Sequence, residues 1–565
     1  HNTSENFGEC FGFNLIYSGN HYEAAQVNSY GKLRIVTGIN PSLFSYKIRA
    51  GESFETPEAV MTYGYAGFNS MSHNMHDFVN NHIVRGKWKN RVRPILLNSW
   101  EAAYFNINEK KLLRLAKAGK EAGVELFVMD DGWFGERNDD TSSLGDWTPN
   151  EKKLPGGIRE IADKIKALGL DFGIWVEPEM VNVKSRLYEK HPEWVVDIPE
   201  KPHSEGRNQR ILDLSNTEVQ DYIIEQMSNI FSSADISYVK WDMNRIFSDY
   251  YSKNLPPERQ GEMAHRYVCG LYHCMRELTK RFPDILFEGC SAGGNRFDLG
   301  ILCYFPQIWA SDNTDALCRT QIQYNYSYGY PLSCISAHVS ASPNHQTLRN
   351  MPLETRFAVA AFGNLGYEFN LCDLPKDEFM AVKAQIELYK KWREVIQYGT
   401  FYRRECFDNR NSRNHGVLNN GAGNNASWCV ASKDMSKAVG FTMQKLVVPN
   451  TQFACFFANG LKDDAVYHFY NRRLKHNIKE FGELVNMVSP VHIKQGSLVQ
   501  ELASKFVKLD GETEDYTAYG DTLMYAGVKL KQSFSATGYS EDVRLYQDFA
   551  ARLYFMEEVN ADDNA

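Results

Sequence analysis

Two acidic side chains are the first candidates for chemistry, because each follows a short apolar run and is preceded by a residue able to tune a carboxyl. Asp242 stands in YVKWDMNR, two positions after Lys240. On an extended strand residues two apart face the same way, so both should look into one pocket. A cation beside a carboxylate favours the ionised form, which suits a nucleophile. Asp312 stands in QIWASDNTDA, three positions after Trp309. Shielding by the indole and the backbone of that run should raise its pKa and keep a proton on it near neutral pH. One ionised and one protonated carboxyl facing each other across a pocket is the arrangement that glycoside hydrolysis requires.

Further acids and indoles end other apolar runs: Trp100 in LLNSW, Asp130 and Asp131 in VMDDGW, Trp175, Glu177 and Glu179 in GIWVEPE, and Cys290 in ILFEGC. No histidine stands at these ends, so a zinc site is not indicated. Oxygen ligands of this kind suit Mg²⁺ or Ca²⁺, but neither a metal nor another cofactor is expected. CSAGGN lacks the Lys and Ser/Thr that follow the glycines of a phosphate-binding loop. Gly293 within it fits close approach of backbone to a small ligand. Each of these residues also has an ordinary structural use. A lone Asp after a strand serves more often as a helix N-cap, Lys240 and Asp242 could form an internal ion pair, and single tryptophans belong more often to a core. Their convergence on one face of one fold is what favours chemistry. A lysine on a barrel strand can form a Schiff base when its pKa is depressed, so an aldolase built on Lys240 stays open. So does a sugar-binding module without turnover.

The elements that must position these residues are legible as alternation. Short apolar runs occur at 94–100, 124–133, 170–179, 210–214, 236–242, 285–290, 307–312 and 331–337. Helix-like stretches lie between them, such as PGGIREIADKIKALG, where Ile158, Ile161, Ile165 and Leu168 share one face. Eight buried strands each followed by a helix predict an α/β fold of the (β/α)8 type, typically about 250 residues. An open doubly wound sheet should carry a glycine fingerprint after its first strand, and none follows PILLNSW. Residues 1–90 alternate β-rich pieces with turns and read as antiparallel sheet. From 401 the chain returns to short strands, with NNGAGNNAS as a turn-rich loop and a stretch of mixed character near 475–515.

The chain has 565 residues, with 62 basic and 70 acidic side chains and a net charge of −8. No basic field awaits nucleic acid or an anionic membrane, and no partner of either kind is expected. Aromatic residues make up 13%, including 31 Tyr and 10 Trp, and such rings offer faces on which sugars stack. The 11 cysteines form no CxxC pair, so reduced thiols are expected. No run of about 18 apolar residues exists, and no basic-then-apolar leader precedes the first residues. Together these favour a cytoplasmic location, which the opening His1 leaves open.

Taken together, VMDDGWFG, DFGIWVEPEMVN, HPEWV, VKWDMNR, CSAGGNRFD, IWASDNTDA and SAHVSASPNHQTLR make the chain resemble the glycoside hydrolase family 36 α-galactosidases over roughly residues 20–475. The resemblance implies a TIM barrel between β domains: 1–90 as a remnant of an N-terminal β-sandwich otherwise missing, 91–400 as the catalytic barrel, and 401–565 as a C-terminal antiparallel domain with an insertion near 475–515. It implies exo-acting, retaining hydrolysis of terminal α-linked galactose from oligosaccharides of melibiose or raffinose type, or from glycoconjugates. By motif position Asp242 would be the nucleophile and Asp312 the acid/base. Asp130 and Asp131 would bind the 4- and 6-hydroxyls, and Trp175, Arg207, Lys240, Asn244, Cys290, Gly293 and Trp309 would make the remaining sugar contacts, with Trp100 near the leaving group. A homo-oligomer is implied but placed in question by the expected truncation. Asn295 departs from the Gly or Ala usual in the family, so an α-N-acetylgalactosaminidase or α-galactosaminidase on the same scaffold is the alternative.

Overall fold

The apolar runs around the candidate residues are buried on both faces, as strands of a parallel barrel must be. In the computed structural model, which describes residues 3–405, 423–447, 454–487, 489–531 and 546–559, eight such strands close on themselves. They are β1 Leu96–Asn98, β2 Leu126–Met129, β3 Asp171–Val176, β4 Tyr238–Trp241, β5 Leu286–Gly289, β6 Gln307–Trp309, β7 Ile335–Val339 and β8 Asn364–Tyr367. Each runs parallel to the next, and β8 returns to β1 with Gly366 opposite Leu96. The expected (β/α)8 barrel is therefore the fold. Its helices follow from local chemistry. In Glu109–Ala122, for example, the Asn108 side chain accepts the Lys111 N–H, Leu112, Leu115 and Ala116 are buried, and Gly123 ends the helix at φ 102°.

Side chains two apart on each strand share a face, so the interior fills in layers. Leu96, Leu126, Val128, Tyr238 and Leu286 form one buried apolar cluster. Gly173 leaves room for it, since a Cβ there would meet the Tyr238 ring at 2.9 Å. A polar layer comes next along the strands: Gln307 Nε2 donates to Glu288 Oε2 at 2.8 Å and to Ser336 Oγ at 3.1 Å, and Asn364 Nδ2 donates to the Ser333 carbonyl at 2.8 Å. Two residues further on, at the C-terminal ends, come Asp130, Trp175, Lys240, Cys290, Trp309 and His338.

One of the eight expected strands is replaced by another. RILDL does not enter the barrel; Gln209–Ile211 pairs antiparallel with Met180–Asn182 in a hairpin between β3 and β4. Its Ile211 and Leu212 are buried, so the run has the apolar signature of a barrel strand without being one. The missing strand is β8, whose sequence, NLGY, is interrupted by glycine. Gly366 is needed there because a Cβ would meet the His338 ring at 2.4 Å. At the N-terminus, Cys10–Leu15 pairs with Ala59–Gly64 and His21–Val27 with Leu33–Ile39, both antiparallel as expected. The same stretch also holds a helix, Gly67–Phe78, that buries Met71 and Met75.

The chain forms two compact units. One comprises residues 1–314, 328–341 and 363–390 and holds the whole barrel. The other comprises 315–327, 342–362 and 391–565. Its six-stranded antiparallel sheet runs in the order Thr400–Glu405, Asn425–Ala431, Lys437–Gln444, Ala551–Glu558, Val466–Asn471, Asp515–Tyr519. Residues 419–422 of NNGAGNNAS lie outside the described residues. The stretch near 475–515 is a small subassembly: Lys475–Asn477 pairs with Lys508–Asp510, and between them Ile478, Phe481 and Val485 form a cluster of their own. Among the described residues, no helix is long and apolar enough to cross a membrane.

Candidate active site

Asp242 is the residue after β4, and its backbone N–H still bonds to the β3 end at Val176 O, 2.8 Å. That continuation of the strand turns its buried carboxylate inward beside Lys240. Three N–H groups converge on it: Met243 N to Oδ1 at 2.8 Å, Trp175 Nε1 to Oδ2 at 3.2 Å and Asn244 Nδ2 to Oδ2 at 2.8 Å.

Lys240 turns toward Asp130 rather than Asp242. Its ammonium donates to Asp130 Oδ2 at 3.0 Å, and Asn98 Nδ2 donates to the same oxygen at 2.7 Å. Burial opposes the Lys240 charge, but the carboxylates, Asp130 foremost and then Glu368 and Asp242, outweigh it and hold its pKa well above the usual lysine range. A lysine locked in its ammonium form cannot attack a carbonyl, so the geometry speaks against the aldolase alternative. Asp131 beside it pairs bidentately with Arg137, through Nε to Oδ1 at 3.0 Å and Nη2 to Oδ2 at 2.8 Å. Burial raises the Asp131 pKa, and the Arg137 guanidinium pulls the other way.

Asp312 follows β6 and accepts the Trp309 indole N–H on Oδ1 at 3.0 Å. Its pKa is raised by burial first and by the Asp242 charge second, while Lys240 and the Trp309 hydrogen bond lower it. The raised pKa agrees with the sequence expectation, but the indole works against the rise: it supplies an N–H donor as well as apolar shielding. The buried Cys290 thiol feels both acids, its pKa driven well above the thiol range by burial, then Asp242, then Asp312. The glycine loop comes closest of all. A Cβ on Gly293 (φ 87°) would lie 2.8 Å from the Asp312 backbone N.

The structure thus gathers Asp130, Asp131, Trp175, Lys240, Asp242, Asn244, Cys290, Gly293, Trp309 and Asp312 at one end of the barrel. Trp100 opens a short helix after β1, half-buried, with its ring edge-on to Tyr104 and Phe105. Arg207 stands apart: it is exposed, at φ 53°, and makes no hydrogen bond or ion pair with a described residue. The hairpin that carries it is nevertheless tied to the site. Asn182 donates Nδ2 to Asn208 O at 2.7 Å and accepts Arg137 Nη1 on Oδ1 at 3.1 Å. Sequence reasoning missed Asn98, Arg137, Asn182, His338 and Glu368. His338 Nδ1 lies 3.0 Å from Glu368 Oε2 and the ring packs 4.3 Å from Trp309; the two-residue alternation carried on from Ser336 reaches His338, whereas Glu368 follows β8, which the sequence does not mark as a strand. No group of three or more His, Cys, Asp or Glu side chains among the described residues is arranged to hold a metal ion.

Asn295, the departure from the family pattern, turns its amide back on its own loop, with Nδ2 donating to Ser291 O at 2.8 Å. The neighbouring Arg296 anchors that loop through a bidentate pair with the buried Glu179, at 2.7 and 2.9 Å.

Comparison with known proteins bears on the family and the fold. The Melibiase family model matches residues 53–399, and the glycosyl hydrolase family 36 N-terminal and C-terminal domain models match 1–49 and 425–556. Alpha-galactosidase AgaA of Geobacillus stearothermophilus is 48% identical over 466 residues, covering 82% of this chain and 62% of that protein. Alpha-galactosidase Mel36A of Lactobacillus acidophilus is 46% identical over 439 residues, covering 78% and 58%. The chain therefore spans about three fifths of the length of these relatives. The crystal structure of AgaA in complex with raffinose superposes with a TM-score of 0.84 at 42% identity, covering 99% of this chain and 68% of that one. The alpha-galactosidase of Lactobacillus brevis gives 0.86 at 38%, covering 99% and 67%. With the Melibiase model spanning most of the barrel unit and both flanking domain models in place, the chain belongs to glycosyl hydrolase family 36.

Proposed function

We propose that this chain is an exo-acting retaining α-galactosidase, with Asp242 as nucleophile and Asp312 as acid/base. The observation that carries the reading is the pair of acids that follow β4 and β6 at the same end of the barrel, one accepting three N–H donors and the other accepting the Trp309 indole N–H. Asp312 protonates the departing glycosidic oxygen while Asp242 Oδ attacks the anomeric carbon. The C–O bond to the leaving group breaks as the Asp242 ester forms. Asp312, now ionised, takes a proton from water, whose oxygen displaces Asp242 and restores the α configuration. Asp130 and Asp131, paired with Lys240 and Arg137, accept hydrogen bonds from the hydroxyls. A sugar lacking the axial hydroxyl leaves one of these buried acceptors without its partner, which disfavours it.

Support for galactosyl oligosaccharides as substrates comes from relatives named as alpha-galactosidases and from AgaA structures with raffinose and stachyose. Because the Asn295 amide is engaged within its loop, it makes no separate case for a 2-amino sugar.

The test compares kcat/KM for nitrophenyl α-galactoside with its 2-acetamido and 2-amino analogues, and follows Asp242→Ala with and without azide. Galactoside preference by tenfold or more, loss of turnover in the variant and formation of β-galactosyl azide are expected. Preference for an amino sugar by that margin overturns the substrate assignment, and an α-azide product overturns the nucleophile.

A further inference from the structure

Glu177, just beyond β3, is completely buried and has no part in the reaction as written. Its Oε1 accepts the backbone N–H of Asn244 at 2.6 Å, and its Oε2 lies 3.1 Å from Gln209 Nε2. Asn244 in turn donates its side-chain amide to Asp242 Oδ2. Gln209 begins the hairpin strand that follows Arg207. One carboxyl thus joins the end of β3 to the loop that holds the nucleophile and to the hairpin that carries Arg207.

The charged groups facing Glu177 are Asp242, from the residue after β4, and Arg137, from the loop after β2. Arg137 is already committed to Asp131 through its bidentate pair. Burial, and next the Asp242 charge, push the Glu177 pKa up to about 8, against the pull of Arg137 and the Asn244 N–H. Gln209 Oε1 is buried without a hydrogen-bond partner among the described residues. A half-turn of that amide, which exchanges its O and N, places an acceptor opposite a carboxylic O–H. In that orientation the O–H of a protonated Glu177 pairs with Oε1, and Nε2 takes the place that the oxygen leaves.

We propose that Glu177 is a positioning residue for the nucleophile: as a neutral carboxylic acid it holds the Asn244 loop to the Arg207 hairpin and leaves the single negative charge of the pair on Asp242. The inference rests on the assignment of Asp242 as nucleophile. Two interacting carboxyls bind their first proton as a pair, and only the state with the proton on Glu177 leaves an ionised nucleophile. When both ionise, two buried like charges repel across the loop that carries Asn244, and the donor to Asp242 is displaced.

The test uses an α-galactoside with a dinitrophenyl leaving group, which departs without protonation. The alkaline limb due to the general acid then drops out of kcat/KM, and a remaining limb reports another group. The wild type is expected to lose activity above about pH 8. Glu177→Gln, neutral and of the same shape, should keep kcat within about threefold at neutral pH and lack that limb, whereas Glu177→Ala should lose about 30-fold in kcat with little change in KM. Infrared difference spectra of the wild-type chain should show a carboxylic-acid carbonyl band that bleaches as pH passes about 8 and is missing from Glu177→Gln. Superimposable pH profiles for the wild type and Glu177→Gln, or no such band at neutral pH, would overturn the proposal. If the wild type turned over no α-galactoside, the functional reading would fail, and the infrared band would still decide the state of Glu177.

Discussion

Replacing Arg137 with Met tests whether the Asp131 carboxylate is kept in place by its guanidinium. Both side chains are almost completely buried, 2% and 8% exposed. Truncating one partner of such a pair leaves an uncompensated buried charge, at about 3–5 kcal/mol. Asp131 has a way out, which is to bind a proton, and each pKa unit of rise costs about 1.4 kcal/mol. The folded-state pKa, already raised by burial, rises further once Arg137 no longer opposes it. A carboxyl whose folded pKa exceeds its unfolded one binds more protons when folded, so stability falls as pH increases through that window. Arg137→Met should therefore melt on the order of 5 °C or more below wild type at pH values above the folded pKa of Asp131, and the deficit should shrink at pH values approaching the unfolded carboxylate pKa of about 4. Function should change with it. A protonated Asp131 offers the sugar a different hydrogen-bonding pattern, and losing a charge-assisted bond of about 1.5–3 kcal/mol predicts a fall of roughly 10- to 150-fold in kcat/KM. Thermal unfolding by calorimetry across pH, with steady-state kinetics on nitrophenyl α-galactoside, reads both. A melting deficit independent of pH, or kinetics within about twofold of wild type, would refute the reasoning.

Three further substitutions probe the acid/base and its surroundings. Gly293→Ala places a Cβ 2.8 Å from the Asp312 backbone N at φ 87°, so kcat should fall at least about tenfold, with KM changed far less; unchanged kcat would show that the loop does not set the Asp312 position. Trp309→Phe removes an N–H donor that lowers the Asp312 pKa, so the alkaline limb of kcat/KM on melibiose should move to higher pH, and a shift to lower pH would contradict the electrostatics. Gly366→Ala drives a methyl into the His338 ring; the barrel should lose about 1–3 kcal/mol by calorimetry, and a melting temperature equal to wild type would mean that β7 and β8 yield without strain.

Much of the barrel was legible because its strands are short apolar runs ending in polar residues, and seven of the eight runs are barrel strands. RILDL and NLGY show the limit of that signal. The first is apolar because a hairpin strand above the barrel is also buried; the second is broken by a glycine required by the His338 ring in the neighbouring strand, a constraint invisible along the chain. The acids were legible for the same reason as the strands, since each stands where a run stops. Their partners were not. Arg137 lies in the loop after β2, Asn182 and Gln209 in the hairpin, and His338 and Glu368 at the ends of β7 and β8, so only three-dimensional closure joins them to Asp131, Glu177 and Trp309. Arg207 is the opposite case: motif position named it, and it stands exposed without a partner among the described residues.

The central claim is that Asp242 becomes covalently bonded to the sugar. Incubation with 5-fluoro-α-galactosyl fluoride, whose fluorines slow both steps while supplying a good leaving group, should accumulate the ester, and peptide mass spectrometry should place one fluorogalactosyl group on Asp242. Labelling of Asp312, Glu177 or Asp130 instead, or release of β-configured product from an unlabelled enzyme, would contradict it.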